Sequence, residues 1–82
     1  MDASDPRYAA VQALMAYWRA HPQASDTLEG ICRWWLNADA SLAPRVEPAL
    51  RWLVDRGVVL ASQASDRRVR YRLAGEAPSE LP

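Results

Sequence analysis

The sequence predicts an α+β domain in which three helices are followed by a β-hairpin. Apolar residues recur at helical spacing in three segments before residue 56, and then alternate with polar residues from residue 58 to 73. Gly57 stands between the two patterns, where a helix end favours a residue that accepts left-handed backbone. The 82 residues suffice for one small domain, which we place at residues 6–73, with disordered ends at 1–5 and 74–82.

The first helix is predicted at residues 6–20. Asp5 can cap its free amides, Pro6 loses no hydrogen bond at the first helical position, and His21 before Pro22 ends it. One face is apolar and consists of Val11, Leu14, Met15 and Trp18. A second stripe consists of Ala9, Ala13, Ala16 and Ala20. This stripe is either a solvent face built from the best helix former or a close-approach surface for a second subunit.

A short extended segment, residues 23–25, precedes the second helix, which is predicted at residues 27–36. Asp26 and Glu29 have the spacing of a capping box. The apolar face consists of Leu28, Ile31, Cys32 and Trp35. Adjacent residues of one helix cannot both face the core, so Trp34 is expected at the boundary or outside. Cys32 is expected to be a small core residue and not a reactive thiol.

The third helix is predicted to begin near residues 42–44 and to end at Gly57. Its buried stripe consists of Val46, Ala49, Leu50, Leu53 and Val54. Pro48 lacks the amide that a regular helix would use and clashes with the preceding turn. We therefore expect an irregular or kinked first turn, with regular helix from Val46.

Two strands, residues 58–62 and 67–73, are predicted to form a hairpin around a four-residue loop at 63–66. This register places Leu60 opposite Val69 and Val58 opposite Tyr71 on the core side. Arg68, Arg70 and Arg72 then share the other side. Because a slip of one residue would put arginines in the core, the register is expected to be well specified.

Composition limits the classes of function. The net charge is zero, which argues against a general polyanion binder, but residues 44–73 carry seven arginines against three acidic residues. All ten basic residues are arginines, a usage typical of a GC-rich bacterial genome. One cysteine and the lack of a secretory or transmembrane segment favour the cytoplasm. One histidine, no phosphate-binding loop and no metal-ligand spacing predict no enzyme, no metal and no cofactor.

The order of predicted elements resembles the winged helix-turn-helix domain. The resemblance covers about residues 6–73, and residues 23–25 would supply a small third strand. Its most specific part is the junction Ala49-Leu50-x-x-Leu53-x-x-x-Gly57-Val58-Val59, which looks like the end of a recognition helix that enters the wing. The predicted fold is therefore a three-helix winged helix-turn-helix with a C-terminal two- to three-stranded β-wing.

The resemblance implies a small bacterial transcription regulator that binds duplex DNA. In DNA-binding members the third helix enters the major groove and the wing contacts the backbone or the minor groove. The helix residues would be Leu42, Ala43, Arg45, Glu47, Pro48 and Arg51, and the phosphate contacts would be Arg67, Arg68, Arg70 and Arg72. Glu47, Pro48 and Asp55 suit base contacts poorly, so the wing is expected to supply more of the affinity.

Other functions remain open at this point. The wing arginines could instead block sheet-to-sheet aggregation or bind acidic groups of a partner. Trp52 either folds onto the second helix or the hairpin, or stays exposed with Trp34 as a protein-binding surface. The alternative function is therefore a winged-helix protein-interaction module without DNA binding, using Trp34, Trp52 or the alanine stripe. A homodimer is compatible with both functions.

Overall fold

The computed structural model describes residues 1–75 and confirms the α+β class. The helices are α1 (Tyr8–Ala20), α2 (Leu28–Gly30), which continues into a π-helical segment (Ile31–Trp35), and α3 (Ala43–Asp55). The strands are β1 (Ser25–Thr27), β2 (Val59–Gln63) and β3 (Val69–Leu73). Within residues 1–75 no helix is long and apolar enough to cross a membrane. Most of the predicted disordered C-terminal tail lies outside the described residues.

Helix α1 begins two residues later than predicted, after a turn that Asp5 organises. The Asp5 carboxylate accepts hydrogen bonds from the Arg7 amide (2.8 Å) and from its guanidinium (2.7 Å). These bonds lower the pKa of Asp5 to about 2. Met1 packs against the core. The disorder of residues 1–5 stays a prediction.

Helix α2 begins differently from the prediction, because Thr27 is its cap. The Thr27 hydroxyl accepts a hydrogen bond from the Gly30 amide at 3.2 Å, whereas the Asp26 carboxylate accepts one from the Thr27 amide at 2.7 Å. The predicted capping box of Asp26 and Glu29 is therefore wrong. Gly30 lies so close to Asp26 that a side chain there would overlap the carboxylate.

The second half of the predicted helix is π-helical. The Leu36 amide donates to the Ile31 carbonyl at 3.1 Å, five residues back, which widens the turn. Trp35 stacks on Tyr17 with ring centroids 4.4 Å apart and meets Trp18 edge-on at 5.1 Å. Trp34 is 73% exposed, as its position beside Trp35 predicted.

Helix α3 is continuous from Ala43, including Pro48, so the expectation of regular helix only from Val46 is wrong. Its first turn is nevertheless tight, because the Arg45 amide donates to the Leu42 carbonyl three residues back (2.8 Å). Pro48 is the sixth residue of α3, inside the helix, where its missing amide removes one backbone hydrogen bond.

The end of α3 at Gly57 is confirmed. Gly57 has φ +76°, and its amide donates to the Val54 carbonyl at 2.9 Å. The Val58 amide donates to the Leu53 carbonyl at 3.0 Å. These two bonds form a Schellman motif, which satisfies carbonyls at the helix end and directs the chain into β2.

The three strands form an antiparallel sheet in the order β1-β3-β2. Val59 pairs with Leu73 and Ala61 pairs with Tyr71, so the predicted pairs of Leu60 with Val69 and Val58 with Tyr71 are wrong. The inward side of β3 is as predicted, but β2 is turned over. Val59 is buried and Leu60 is 41% exposed. β1 lies two residues later than the extended segment predicted at 23–25.

One apolar core joins the helices to the sheet. Its buried members are Ala10, Val11, Leu14, Met15, Trp18, Ile31, Val46, Ala49, Leu50, Leu53, Val59 and Leu73. The Trp18 indole also donates a hydrogen bond to the Ala24 carbonyl at 3.0 Å, which ties α1 to the segment before β1. The core therefore fixes α3 against α1 and leaves its opposite side exposed.

Candidate nucleic-acid interface

The hairpin tip is a three-residue loop, residues 65–67. The Arg67 amide donates to the Ala64 carbonyl at 2.9 Å, and the Ala64 amide donates to the Arg68 carbonyl at 3.0 Å. Arg67 has φ +66°, the left-handed conformation that closes a loop of this length. The left-handed position is thus occupied by a residue that is neither glycine nor asparagine. The sequence therefore contains no local signal for the length of this loop.

Asp66 organises the loop and holds one of the candidate arginines. Its carboxylate accepts a hydrogen bond from the Arg68 amide at 3.0 Å and two from the Arg70 guanidinium at 3.2 and 3.4 Å. The Arg70 guanidinium first, and the Arg68 amide second, keep the pKa of Asp66 below its ordinary value. Arg70 is therefore held within the hairpin and is not fully available to a ligand.

The arginines of the hairpin divide by position. Arg70 and Arg72 lie on one side of β3, the central strand, and share that side with Leu60 and Ser62 of β2. We call this side the outer face. Arg67 lies at the exposed loop tip, and Arg72 is exposed on the outer face. Within residues 1–75 neither of these two forms an ion pair at 4.0 Å or less.

Arg68 lies elsewhere, in a groove between α2, α3 and the hairpin. The groove is lined by Thr27, Leu28, Glu29, Glu47, Arg68, Val69 and Tyr71. Two glutamates therefore share this groove with one arginine, and a phosphate that entered it would be repelled by both carboxylates. Of the predicted phosphate contacts, Arg68 is the least suitable.

The candidate base-contact residues on α3 are mixed in charge. Arg45, Glu47, Pro48 and Arg51 are exposed, whereas Leu42 and Ala43 are half-buried. Glu47 lies 4.0 Å from Arg51, one helical turn away, and offsets its charge. Asp55 is also exposed. The exposed side of α3 thus offers two arginines against two acids.

The candidate protein-binding residues differ in exposure. Trp34 is exposed with the Arg33 guanidinium 5.2 Å from its ring, whereas Trp52 is half-buried against the core and the Arg56 guanidinium covers it at 4.3 Å. On α1, Ala9 and Ala16 are exposed and Ala13 is half-buried. Trp34 is the large apolar side chain that is most exposed among residues 1–75.

The cysteine and the histidine, the side chains with most potential for catalysis or metal binding, have ordinary structural surroundings. Cys32 is half-buried, and this burial raises the pKa of its thiol, which disfavours the reactive thiolate. His21 lies against Tyr17, with ring centroids 4.6 Å apart. In the part of the chain that the structure describes, no group of three His, Cys, Asp or Glu residues is arranged to hold a metal ion.

Comparison of this chain with protein-family models, curated proteins and solved structures gives no match.

Proposed function

We propose that this chain is a winged-helix domain that binds duplex DNA, mainly through its hairpin. The order of helices and strands, with β1 joined to the hairpin as a third strand, supports the proposed fold. The observation that carries the proposed function is the exposure of Arg67 and Arg72 without an acidic partner among residues 1–75. Among residues 1–75, no ion-paired carboxylate therefore competes with an anionic ligand for these two guanidiniums.

The proposed contacts are to phosphates and not to bases. Arg67 at the loop tip and Arg72 on the outer face would each neutralise a phosphate and release a condensed counterion. On α3, Glu47 and Asp55 repel the backbone, and Pro48 has no donor or acceptor in its side chain. Binding should therefore depend strongly on salt and weakly on DNA sequence.

A salt series tests this proposal. Anisotropy of a labelled mixed-sequence duplex gives the slope of log affinity against log salt, to which each phosphate contact contributes about 0.9. Arg72→Gln and Arg67→Gln should each reduce the slope by about that amount. The control Arg19→Gln removes one positive charge from α1 and should leave the slope unchanged. If duplex at low salt shifts no amide resonance of the hairpin, the proposal fails.

A second candidate is a protein-interaction module centred on Trp34. Its support is the 73% exposure of this indole, since exposed tryptophans are typical of binding hot spots. The two candidates give opposite results with two variants. Trp34→Ala should abolish association with a partner and leave DNA affinity unchanged if Trp34 carries the function. If DNA binding is the function, Arg72→Gln should weaken the binding of DNA and leave protein association unchanged.

A further inference from the structure

Strand β2 is an edge strand without the usual protection against pairing. In the order β1-β3-β2, its neighbour is β3, and no other described strand pairs with it. Its five residues, Val59, Leu60, Ala61, Ser62 and Gln63, include no charge and no proline. Edge strands usually carry charges, prolines or bulges that prevent pairing with another chain. The opposite edge, β1, has only three residues and carries Asp26.

The hydrogen-bond pattern shows which groups of β2 are open. The Ala74 amide donates to the Val58 carbonyl at 2.9 Å, and the Ala64 amide donates to the Arg68 carbonyl at 3.0 Å. Because direction alternates along an antiparallel strand, the even-numbered residues between these ends direct their backbone groups at β3. Val59, Ala61 and Gln63 therefore direct theirs away from the sheet.

We propose that this edge pairs with β2 of a second copy of this chain, antiparallel about a two-fold axis at Ala61. In this register Ala61 faces Ala61 of the second copy, and Val59 faces Gln63 of the second copy. All three outward residues of each strand are then in hydrogen-bonded pairs, and each such pair exchanges two bonds. The open edge is complementary to itself, and no like charges meet across it.

The exposed leucine also fits this arrangement. Leu60 would lie opposite Ser62 of the second copy and diagonal to the second Leu60, at roughly 7–8 Å, within reach of long side chains. The contact is small, with five residues a side against roughly 20–30 in a standard interface. We therefore expect a weak dimer that forms at high protein concentration. This inference does not rest on DNA binding.

Amide hydrogen exchange of the full chain without DNA, in dilute and in concentrated solution, tests the proposal. The Leu60 and Ser62 amides should be protected at every concentration, because they bond to β3. The Val59, Ala61 and Gln63 amides should exchange rapidly in dilute solution and become protected as concentration rises. If protection of the Val59, Ala61 and Gln63 amides does not change with concentration, the same chain covers the edge. That result, or the absence of protection of these three amides at every concentration, overturns the proposal.

Variants at Ala61 sharpen the test. Ala61→Pro removes an outward amide without taking a bond from β3, so concentration-dependent protection of Val59 and Gln63 should be lost. Ala61→Val keeps the amide, so the concentration-dependent protection of Val59 and Gln63 should remain. Ala61→Lys brings two positive charges together at the axis and should suppress pairing without relying on the proline variant. Pairing that persists in Ala61→Lys would overturn the proposed register.

Discussion

Asp66→Asn should strengthen DNA binding, because Asp66 holds Arg70 inside the hairpin. The carboxylate accepts from the Arg70 guanidinium at 3.2 and 3.4 Å and from the Arg68 amide at 3.0 Å. Asparagine keeps an oxygen for the Arg68 amide, so the loop should keep its shape. It loses the charge that pairs with Arg70, and both partners are exposed, so little stability depends on that pair. The released guanidinium becomes available to a phosphate.

The size of the effect follows from counterion release. One added phosphate contact should steepen the slope of log affinity against log salt by about 0.9. Between about 50 and 200 mM salt, the ratio of variant to wild-type affinity should then fall by about 3.5-fold. Duplex anisotropy over this salt range measures it. The control Asp2→Asn makes the same charge change in the N-terminal turn and should leave the slope unaltered. An unchanged slope in Asp66→Asn, with the Arg68 amide resonance in place, would refute the proposed role of the outer face.

Three further predictions concern the hairpin and the helix ends. Gly57→Ala should destabilise the fold by about 1–2 kcal/mol in urea unfolding, because the added methyl meets nothing within 4 Å and the cost is that of φ +76° alone; a loss below that range would contradict the assignment. Arg67→Gly should raise the stability measured by urea unfolding, by at most about 1 kcal/mol, and should weaken DNA binding measured by duplex anisotropy. A change of stability and DNA affinity in the same direction would contradict this prediction. The pKa of Asp5 is lowered from 3.8 to about 2, and that of Asp66 is also lowered. Before α3, the Asp39 carboxylate accepts hydrogen bonds from the Ser41 hydroxyl and from the Leu42 and Ser41 amides, which lower its pKa as well. The contribution of these carboxylates to stability should therefore be fully present above the ordinary carboxyl pKa and should be lost as pH decreases from about 4 towards 2. The melting temperature of Asp39→Asn should decrease less over this pH range than that of the wild type. An equal decrease would show that Asp39 does not contribute.

The helix end at Gly57 could be predicted from the sequence because its cause is local. Glycine accepts positive φ at no steric cost, and the apolar periodicity of α3 stops just before it. The Schellman bonds to Leu53 and Val54 need no distant partner. The same is true of the separation of Trp34 from Trp35, which follows from their adjacency in a helix.

The register of β2 could not be predicted from the sequence, for two reasons. The loop depends on a left-handed Arg67, a conformation that glycine or asparagine would have indicated. Val58, Val59 and Leu60 are all apolar, so the pattern of β2 does not distinguish its two sides. The observed pairing differs from the predicted one by three residues, since Leu60 pairs with Arg72 and not with Val69. Because three is an odd number, every side chain of β2 lies on the side of the sheet opposite to the predicted one.

The corrected register links the proposed DNA binding to the proposed pairing of two β2 edges. With Leu60 directed outwards, the outer face carries an apolar residue beside the exposed Arg72, and the open edge of β2 lies next to both. Pairing of two such edges would place Arg72 of each copy on one continuous face. The two residues would be separated by three strand spacings across the sheet, about 14 Å, and by two residues along the strands, about 7 Å. DNA binding and self-association would then reinforce each other, because a duplex that holds two copies raises the effective concentration of each edge for the other. Ala61→Lys separates the two effects. It adds a positive charge yet opposes pairing, so weaker DNA binding in this variant would show that affinity depends on the dimer and not on charge alone.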